Sequence, residues 1–476
     1  FSDRLRQTMS DRDVRQSDVI RASEMLGKKL GKSQMSQYVS GKTIPRRDVA
    51  ELLARILEVD VTWLLASDAD QGETPSPRNV AKSEPSPTAQ IARSATMRTF
   101  SKSTKLDNVL YDVRGPVVDE AARMEDEGER ILKLNIGNPA PFGFRTPDEV
   151  IKDMRQQLPD CEGYSNSRGL FSARKAIMQY SQIKGLPNVQ MEHIYTGNGV
   201  SELIQLSMNA LLDNGDEILI PEPFYPNYYT MAYTCGAKIH PIPTSPHDGY
   251  HYADRAKVEA EINEHTRAIM VTNPGNPTGV VLTPEEMRMM CDIAKEHNLF
   301  IIGDEAYREF VYAGEPLQSM GQFDDAADNV IVIDTVSKRF SACGARIGCM
   351  ISRNKELMAQ AMKYAQCRLS VPTLDQIASA ALYTVGPEYF AAVRDEYKLR
   401  RDTVMRKLKE IPGVVFDVPG GAFYVMAALP VDDADKFQQW LLEEFSDNGE
   451  TVMMAPGGSM YATPGKGKNE VRMAYV

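Results

Sequence analysis

Short apolar runs separated by helical stretches constrain this chain more than any other feature. Glu217-Ile218-Leu219-Ile220, Ala268-Ile269-Met270-Val271, Leu299-Phe300-Ile301-Ile302 and Val330-Ile331-Val332-Ile333 are rich in β-formers and do not alternate with polar residues. Strands of that kind are covered on both faces, as in a parallel sheet. Stretches such as Pro284 to His297 have helical character and would serve as crossovers between strands. From about residue 101 the expectation is therefore an α/β unit on a mostly parallel sheet clad with helices. In such sheets polar function collects where strands end.

The first 66 residues read differently. Phe1 to Met9 places apolar residues at helical spacing, and Val19, Ala22, Met25 and Leu26 continue the pattern after Ser17-Asp18, an expected N-cap. Gly31 to Ser40 is a polar helix with few core anchors, stopped by Gly41. Val49, Leu52, Leu53, Ile56 and Leu57 form the last strong stripe, and Val61 to Leu65 closes the unit. Residues 67–100 lose periodicity and gather Ser, Thr, Ala and Pro75, Pro77, Pro85 and Pro87, the composition of a flexible linker.

Charge separates the same regions. Residues 1–66 carry twelve Lys or Arg against nine Asp or Glu, a surplus of +3 in a chain whose net charge is −11. An anionic partner is therefore to be sought at the N-terminal end. A length of 476 residues implies two or three folded units. No apolar stretch is long enough to span a bilayer, and the N-terminus has no signal-peptide pattern. The first residue is Phe1, as expected of a trimmed chain. Six scattered cysteines without a CxxC pair suggest reduced thiols in the cytoplasm, and no metal site.

Four elements carry chemistry. Lys338 follows the run ending at Ile333-Asp334, within Thr335-Val336-Ser337-Lys338, and Arg346 lies in Gly344-Ala345-Arg346-Ile347-Gly348. A lysine just beyond a buried strand is a candidate desolvated amine, able to condense with an aldehyde. Asp304 ends another strand and is followed by Glu305-Ala306-Tyr307. A carboxylate there can keep a pyridine nitrogen protonated and make the ring an electron sink. Asn273-Pro274-Gly275-Asn276-Pro277-Thr278-Gly279 follows a third strand, and Gly197-Asn198-Gly199-Val200-Ser201-Glu202 opens a helix where backbone N–H groups can meet a phosphate. Each has a bland reading as a turn, a cap or a surface lysine; their joint occurrence does not.

In order and spacing these elements resemble the fold-type I aminotransferases, over roughly residues 101–476. The resemblance implies pyridoxal phosphate as cofactor. It also implies a seven-stranded large domain over 143–355 and a smaller α+β domain from 101–142 and 356–476. It makes Lys338 the Schiff-base lysine and proton carrier, pairs Asp304 with the ring nitrogen, and sets Asn276 and Tyr307 at the ring hydroxyl. Asn198, Gly199, Val200, Thr335, Ser337 and Arg346 would hold the phosphate, and Tyr225 in Pro223-Phe224-Tyr225-Pro226 would stack on the ring. Arg472 would clamp the substrate carboxylate beside Gly137 and Asn276, and Tyr164 would reach the phosphate of a second subunit, which implies a homodimer. Leu134 to Phe144 and Gly197 to Leu203 are similar to bacterial glutamate–pyruvate (alanine) aminotransferases, with an amino acid and a 2-oxo acid as substrates. One departure bears on Arg472 and the small domain: the family usually continues further beyond this arginine than Val476.

Residues 1–66 resemble the helix-turn-helix of the lambda-repressor-like family, through Gln16, the helix Ser33 to Gly41 and the ending Val61-Thr62-Trp63-Leu64-Leu65. The resemblance implies that Gln34 and Gln37 read bases while Lys32, Lys42, Arg46 and Arg47 meet phosphates. Three organisations remain open: an aminotransferase with DNA-binding heads, a regulator whose enzyme-like body senses the cofactor or an amino acid, and an enzyme with a scaffold-binding module.

Overall fold

The computed structural model describes residues 1–65 except 12, 13, 27, 29, 58 and 60, then Thr104, and 116–476 except 313–316. The expected linker over 67–100, and most of the arm from 101 to 115, lie outside the described residues. Residues 1–100 and 101–476 are two separate units.

In the first unit α1 (Ser2–Asp11), α2 (Gln16–Met25), α3 (Lys32–Val39), α4 (Arg47–Ile56) and α5 (Val61–Leu65) follow one another. They enclose a core of Leu5, Val19, Leu30, Met35, Tyr38, Leu53, Leu57 and Leu64. Met35 and Tyr38 are the buried anchors of the otherwise polar α3, and Gly41 follows it at φ +75°, where a side chain would be strained. The N-cap expected at Ser17-Asp18 falls instead on Arg15. Asp18 is the third residue of α2, and its Oδ2 accepts the Arg15 N–H at 3.0 Å, as an acidic residue one turn in tends to do.

The second unit contains thirteen strands among its described residues. These are β1 (Arg130–Lys133), β2 (Ile194–Gly197), β3 (Glu217–Pro221), β4 (Lys238–Ile242), β5 (Thr266–Thr272), β6 (Phe300–Asp304) and β7 (Val330–Thr335). They continue with β8 (Gly348–Ile351), β9 (Val415–Phe416), β10 (Tyr424–Ala428), β11 (Glu450–Met453), β12 (Ala455–Pro456) and β13 (Glu470–Ala474). The largest sheet has the order β2-β8-β7-β6-β5-β3-β4. All its pairings are parallel except those of β8, antiparallel to both neighbours. The chain turns straight back after β7, pairing Thr335 with Gly348. That return needs no crossover helix, and the connecting loop carries Ser337, Lys338 and Arg346.

Why those runs lack alternation is plain from the packing. Leu219, Ile269, Val271, Ile301 and Val332 face one apolar cluster, while Ile218, Ile220, Met270, Ile302, Ile331 and Ile333 face another. Successive side chains point to opposite faces, and both faces are covered. The smaller sheet β12-β13-β10-β9 is antiparallel, and β1 pairs in parallel with β11. Arg472 lies within β13, whose residues are all buried and which pairs with β10 and β12. No helix among the described residues is long and apolar enough to cross a membrane.

Candidate active site

A cavity of about 270 Å³ opens where β5, β6 and β7 end. Lys338, Asp304, Asn276, Tyr307, Thr335, Ser337, Arg346, Tyr225, Val200, Gly137 and Arg472 all line it. Eleven side chains or backbones separated in sequence by up to several hundred residues thus meet in one place.

Lys338 is half-buried, and its Nζ donates to the Gly137 carbonyl at 2.7 Å. The loop holding it is fixed from behind. Arg339, fully buried, pairs with Asp334 and donates through Nε to the Thr335 carbonyl at 3.0 Å. Arg308 and Glu305 form a second buried pair beside it, with Nη1 and Oε2 3.2 Å apart. Buried charges with defined partners resist displacement, since either one left alone is costly.

Asp304 is buried at the end of β6. Tyr228 donates to its Oδ2 at 2.8 Å, and the Ala306 N–H donates to Oδ1 at 3.0 Å. Burial pushes this carboxyl up to about 6, against the two donors and the Lys338 charge. Burial likewise raises the phenols of Tyr228 and Tyr307 well above the ordinary range, so both remain hydrogen-bond donors at neutral pH.

Arg472 is 5% exposed. Its Nη1 donates to Asn276 Oδ1 at 3.0 Å and its Nη2 to the Asn135 carbonyl at 2.8 Å, while the guanidinium lies 4.6 Å from the Tyr424 ring centre. Nε has no hydrogen-bond partner, and no acidic side chain among the described residues forms an ion pair with Arg472. A buried guanidinium surrounded by neutral groups is a site prepared for an anion.

At the phosphate end, Asn198 caps α6 (Gly199–Leu211). Here the geometry divides the expected residues. Val200 and Ser201 line the cavity, whereas the Asn198 N–H donates to Glu202 Oε2 at 2.6 Å and its side chain donates to Oε1 at 3.0 Å. Arg346 Nη2 donates to the Asn198 carbonyl at 3.3 Å, and a Cβ at Gly199 would sit 2.3 Å from that nitrogen. Glycine is thus required at 199 for the arginine to approach. Thr335 Oγ1 and Ser337 Oγ are 2.9 Å apart. Tyr225 meets Tyr228 edge-on, with ring centres 5.6 Å apart. Tyr164 is 83% exposed and does not line the cavity.

Sequence reasoning missed Tyr228, Tyr424 and Cys343, and named Asn135 and Ser201 only as parts of motifs. Tyr228 stands three positions beyond Tyr225, in the helix Asn227–Thr234 that follows it, and this proximity is a usable signal. Cys343 Sγ lies 3.8 Å from Lys338 Nζ; nothing in its surrounding sequence marks it. Arg346, Ser337, Ser201 and a helix N-terminus form a donor set suited to a phosphate, while Lys338 suits an aldehyde and Asp304 a ring nitrogen. The residues present therefore fit pyridoxal phosphate. In the first unit, Lys32, Gln34, Gln37, Lys42, Arg46 and Arg47 are all exposed, and Gln34 Nε2 donates to Tyr38 Oη at 2.9 Å.

A doubly covered sheet with this donor set at its strand ends suits pyridoxal phosphate, and the profile of aminotransferase class I and II matches residues 129–472. The chain belongs to that family and is a pyridoxal-phosphate-dependent aminotransferase. The glutamate-pyruvate aminotransferase AlaA of Escherichia coli (strain K12) is 39% identical over 350 residues, 72% of this chain and 85% of that protein. An alanine aminotransferase of Mycobacterium tuberculosis (strain ATCC 25618 / H37Rv) is 39% identical over 358 residues, 73% of this chain and 82% of the relative. The solved alanine aminotransferase of Pyrococcus furiosus superposes with a TM-score of 0.72 at 30% identity, covering 79% of this chain and 95% of that one.

Proposed function

We propose that the chain moves an amino group between an L-amino acid, alanine or glutamate, and a 2-oxo acid in ping-pong order, and that residues 1–66 are a DNA-binding head. The observation carrying the first part is the convergence of a lysine amine, a buried carboxylate and an anion-ready guanidinium in one cavity. The alanine and glutamate assignment draws on the printed activities of the 39% identical relatives.

Bound at this site, pyridoxal phosphate supplies an aldehyde on a ring that accepts electrons. Arg346, Ser337, Thr335, Ser201 and the N–H groups of Gly199 and Val200 would hold its phosphate, Asp304 its ring nitrogen, and Asn276 and Tyr307 its hydroxyl. Tyr225 would cover the ring face. Arg472 presents a planar fork to the substrate carboxylate, which fixes the direction of the Cα–H bond. Lys338 Nζ would take the Cα proton and return it two bonds further along, across the amino nitrogen, a 1,3 transfer that a single flexible amine can perform. The Tyr228 and Ala306 donors favour the ionised form of Asp304 and oppose the effect of its burial. Tyr164, exposed on this chain, supports a homodimer in which it serves the second site. Six cysteines, none in a disulfide among the described residues, support a cytoplasmic location.

For the head, support comes from α3, whose exposed side chains are polar or basic and whose inward ones are Met35 and Tyr38. The linker would let two heads of a dimer reach one palindromic site. Turnover of L-alanine with 2-oxoglutarate tests the enzyme assignment, and its absence alongside cofactor binding would favour the sensor reading. DNA capture with and without residues 1–66 tests the head; unchanged capture would favour a protein-docking module.

A further inference from the structure

Arg472 is restrained in its own plane by two oxygens, those of Asn276 and Asn135. Its guanidinium carbon also lies over the ring of Tyr424, 4.6 Å from the ring centre. Tyr424 stands in β10, between β13 and β9, and is buried. Its ring meets Tyr307 edge-on with centres 5.6 Å apart, and its Oη lies 3.1 Å from Tyr307 Oη. On its other side it abuts Gly137, where an added Cβ would come within 1.8 Å of the phenol oxygen. Gly137 is also the residue whose carbonyl accepts from Lys338. One side chain thus touches the guanidinium, the second phenol and the backbone that holds the lysine amine.

We propose that Tyr424 is a positioning residue with two separable roles: its ring face sets the guanidinium of Arg472 for the substrate carboxylate, and its hydroxyl orients the Tyr307 hydroxyl. The first role rests on Arg472 being the carboxylate holder. A cation lying on an aromatic face in a dry site is held strongly and directionally. Two phenols in contact must agree on which one donates. With Tyr424 Oη accepting, the Tyr307 O–H is spent on it and directed away from the cavity; with Tyr424 donating, the Tyr307 O–H stays free to donate to the ring hydroxyl.

The test compares Tyr424→Phe, Tyr424→Leu and Arg472→Lys in cofactor-loaded protein. Carboxylate affinity is read with propionate, which has no amino group to transfer, by its inhibition constant and by its perturbation of the cofactor's absorbance. Tyr424→Leu is expected to weaken propionate about tenfold and to raise KM more than it lowers kcat, through loss of a desolvated cation–π contact. Tyr424→Phe keeps the ring and is expected to hold propionate affinity within about twofold, while shifting the pH midpoint of the absorbance titration. That shift should vanish in a Tyr307→Phe background, because the hydroxyl then has no partner to orient. Equal propionate affinity in wild type and Tyr424→Leu overturns the ring role. An unshifted Tyr424→Phe titration, or the same shift with Tyr307 replaced, overturns the hydroxyl role. If Arg472→Lys leaves propionate binding unchanged, the clamp assignment itself fails; if it weakens binding while Tyr424→Leu does not, only the ring role of Tyr424 fails. Should Tyr424→Leu not retain cofactor, Tyr424→Met replaces it, and the phenylalanine pair stands on its own.

Discussion

The cavity and helix α3 use polar side chains in opposite ways. In the cavity Asn276, Asp304 and Arg472 are buried, and each is held by named partners at hydrogen-bond distance. On α3, Lys32, Gln34 and Gln37 are exposed, and Gln34 bonds to its own helix neighbour Tyr38. Burial makes a polar group expensive unless its partners are fixed, so each cavity position is specified by several others. An exposed group carries little such cost and takes its meaning from what it meets. The first region therefore declares its chemistry in its own geometry, whereas the second needs its ligand.

The largest effect should come from Lys338→Ala. Turnover is expected to fall by at least ~10⁴-fold with the fold intact, measured by single-turnover rates and circular dichroism. Full half-reaction rates in that variant would break the comparison at its strongest point. Arg472→Ala is next, with kcat/KM for amino acids reduced by roughly 10²-fold, since it removes a charge-assisted fork from a dry site.

Asp304 offers a test with two opposite signs. Its folded value of about 6 exceeds the usual aspartate 3.8. The folded chain therefore holds this proton more tightly than the unfolded one. The resulting stabilisation is complete below about pH 3.8 and is lost as pH rises through about 6, leaving an ionised buried group that costs roughly 2–3 kcal/mol. Asp304→Asn should accordingly stabilise the cofactor-free protein at pH 8 by about 2 kcal/mol in denaturant titration. Turnover of the loaded variant should fall by at least ~10²-fold, because a neutral amide cannot support a protonated ring. A variant both less stable at pH 8 and fully active would contradict the burial argument.

Smallest are the effects expected at and just beyond α3. Lys32→Ala or Lys42→Ala should weaken DNA capture a few-fold and reduce its salt dependence by about one ion. Removing residues 1–66 should leave transamination within about twofold, a comparison made by steady-state assay of both chains.

Legibility in the sequence followed the same division. Lys338, Asp304, Asn276 and Gly199 sit in short motifs at strand ends or a helix start, where local spacing announces a site. The parallel β3, β5, β6 and β7 were legible because both their faces are apolar. Tyr424 was not, because what matters about it is a hydroxyl contact with Tyr307, 117 positions away. The buried Arg339–Asp334 and Arg308–Glu305 pairs were equally hidden, since charged letters read as surface until their partners are seen. Strand β1 pairs with β11 through Arg130 and Glu450, a register that no local pattern encodes. Asn198 illustrates a finer limit: its motif was recognised, yet Glu202 four positions on engages its N–H.

Covalent attachment at one amine is the most direct test. Cofactor-loaded protein treated with borohydride and digested should yield a single pyridoxyl-bearing peptide, modified at Lys338. A label on another lysine, or none in protein that still binds the cofactor, would contradict the account.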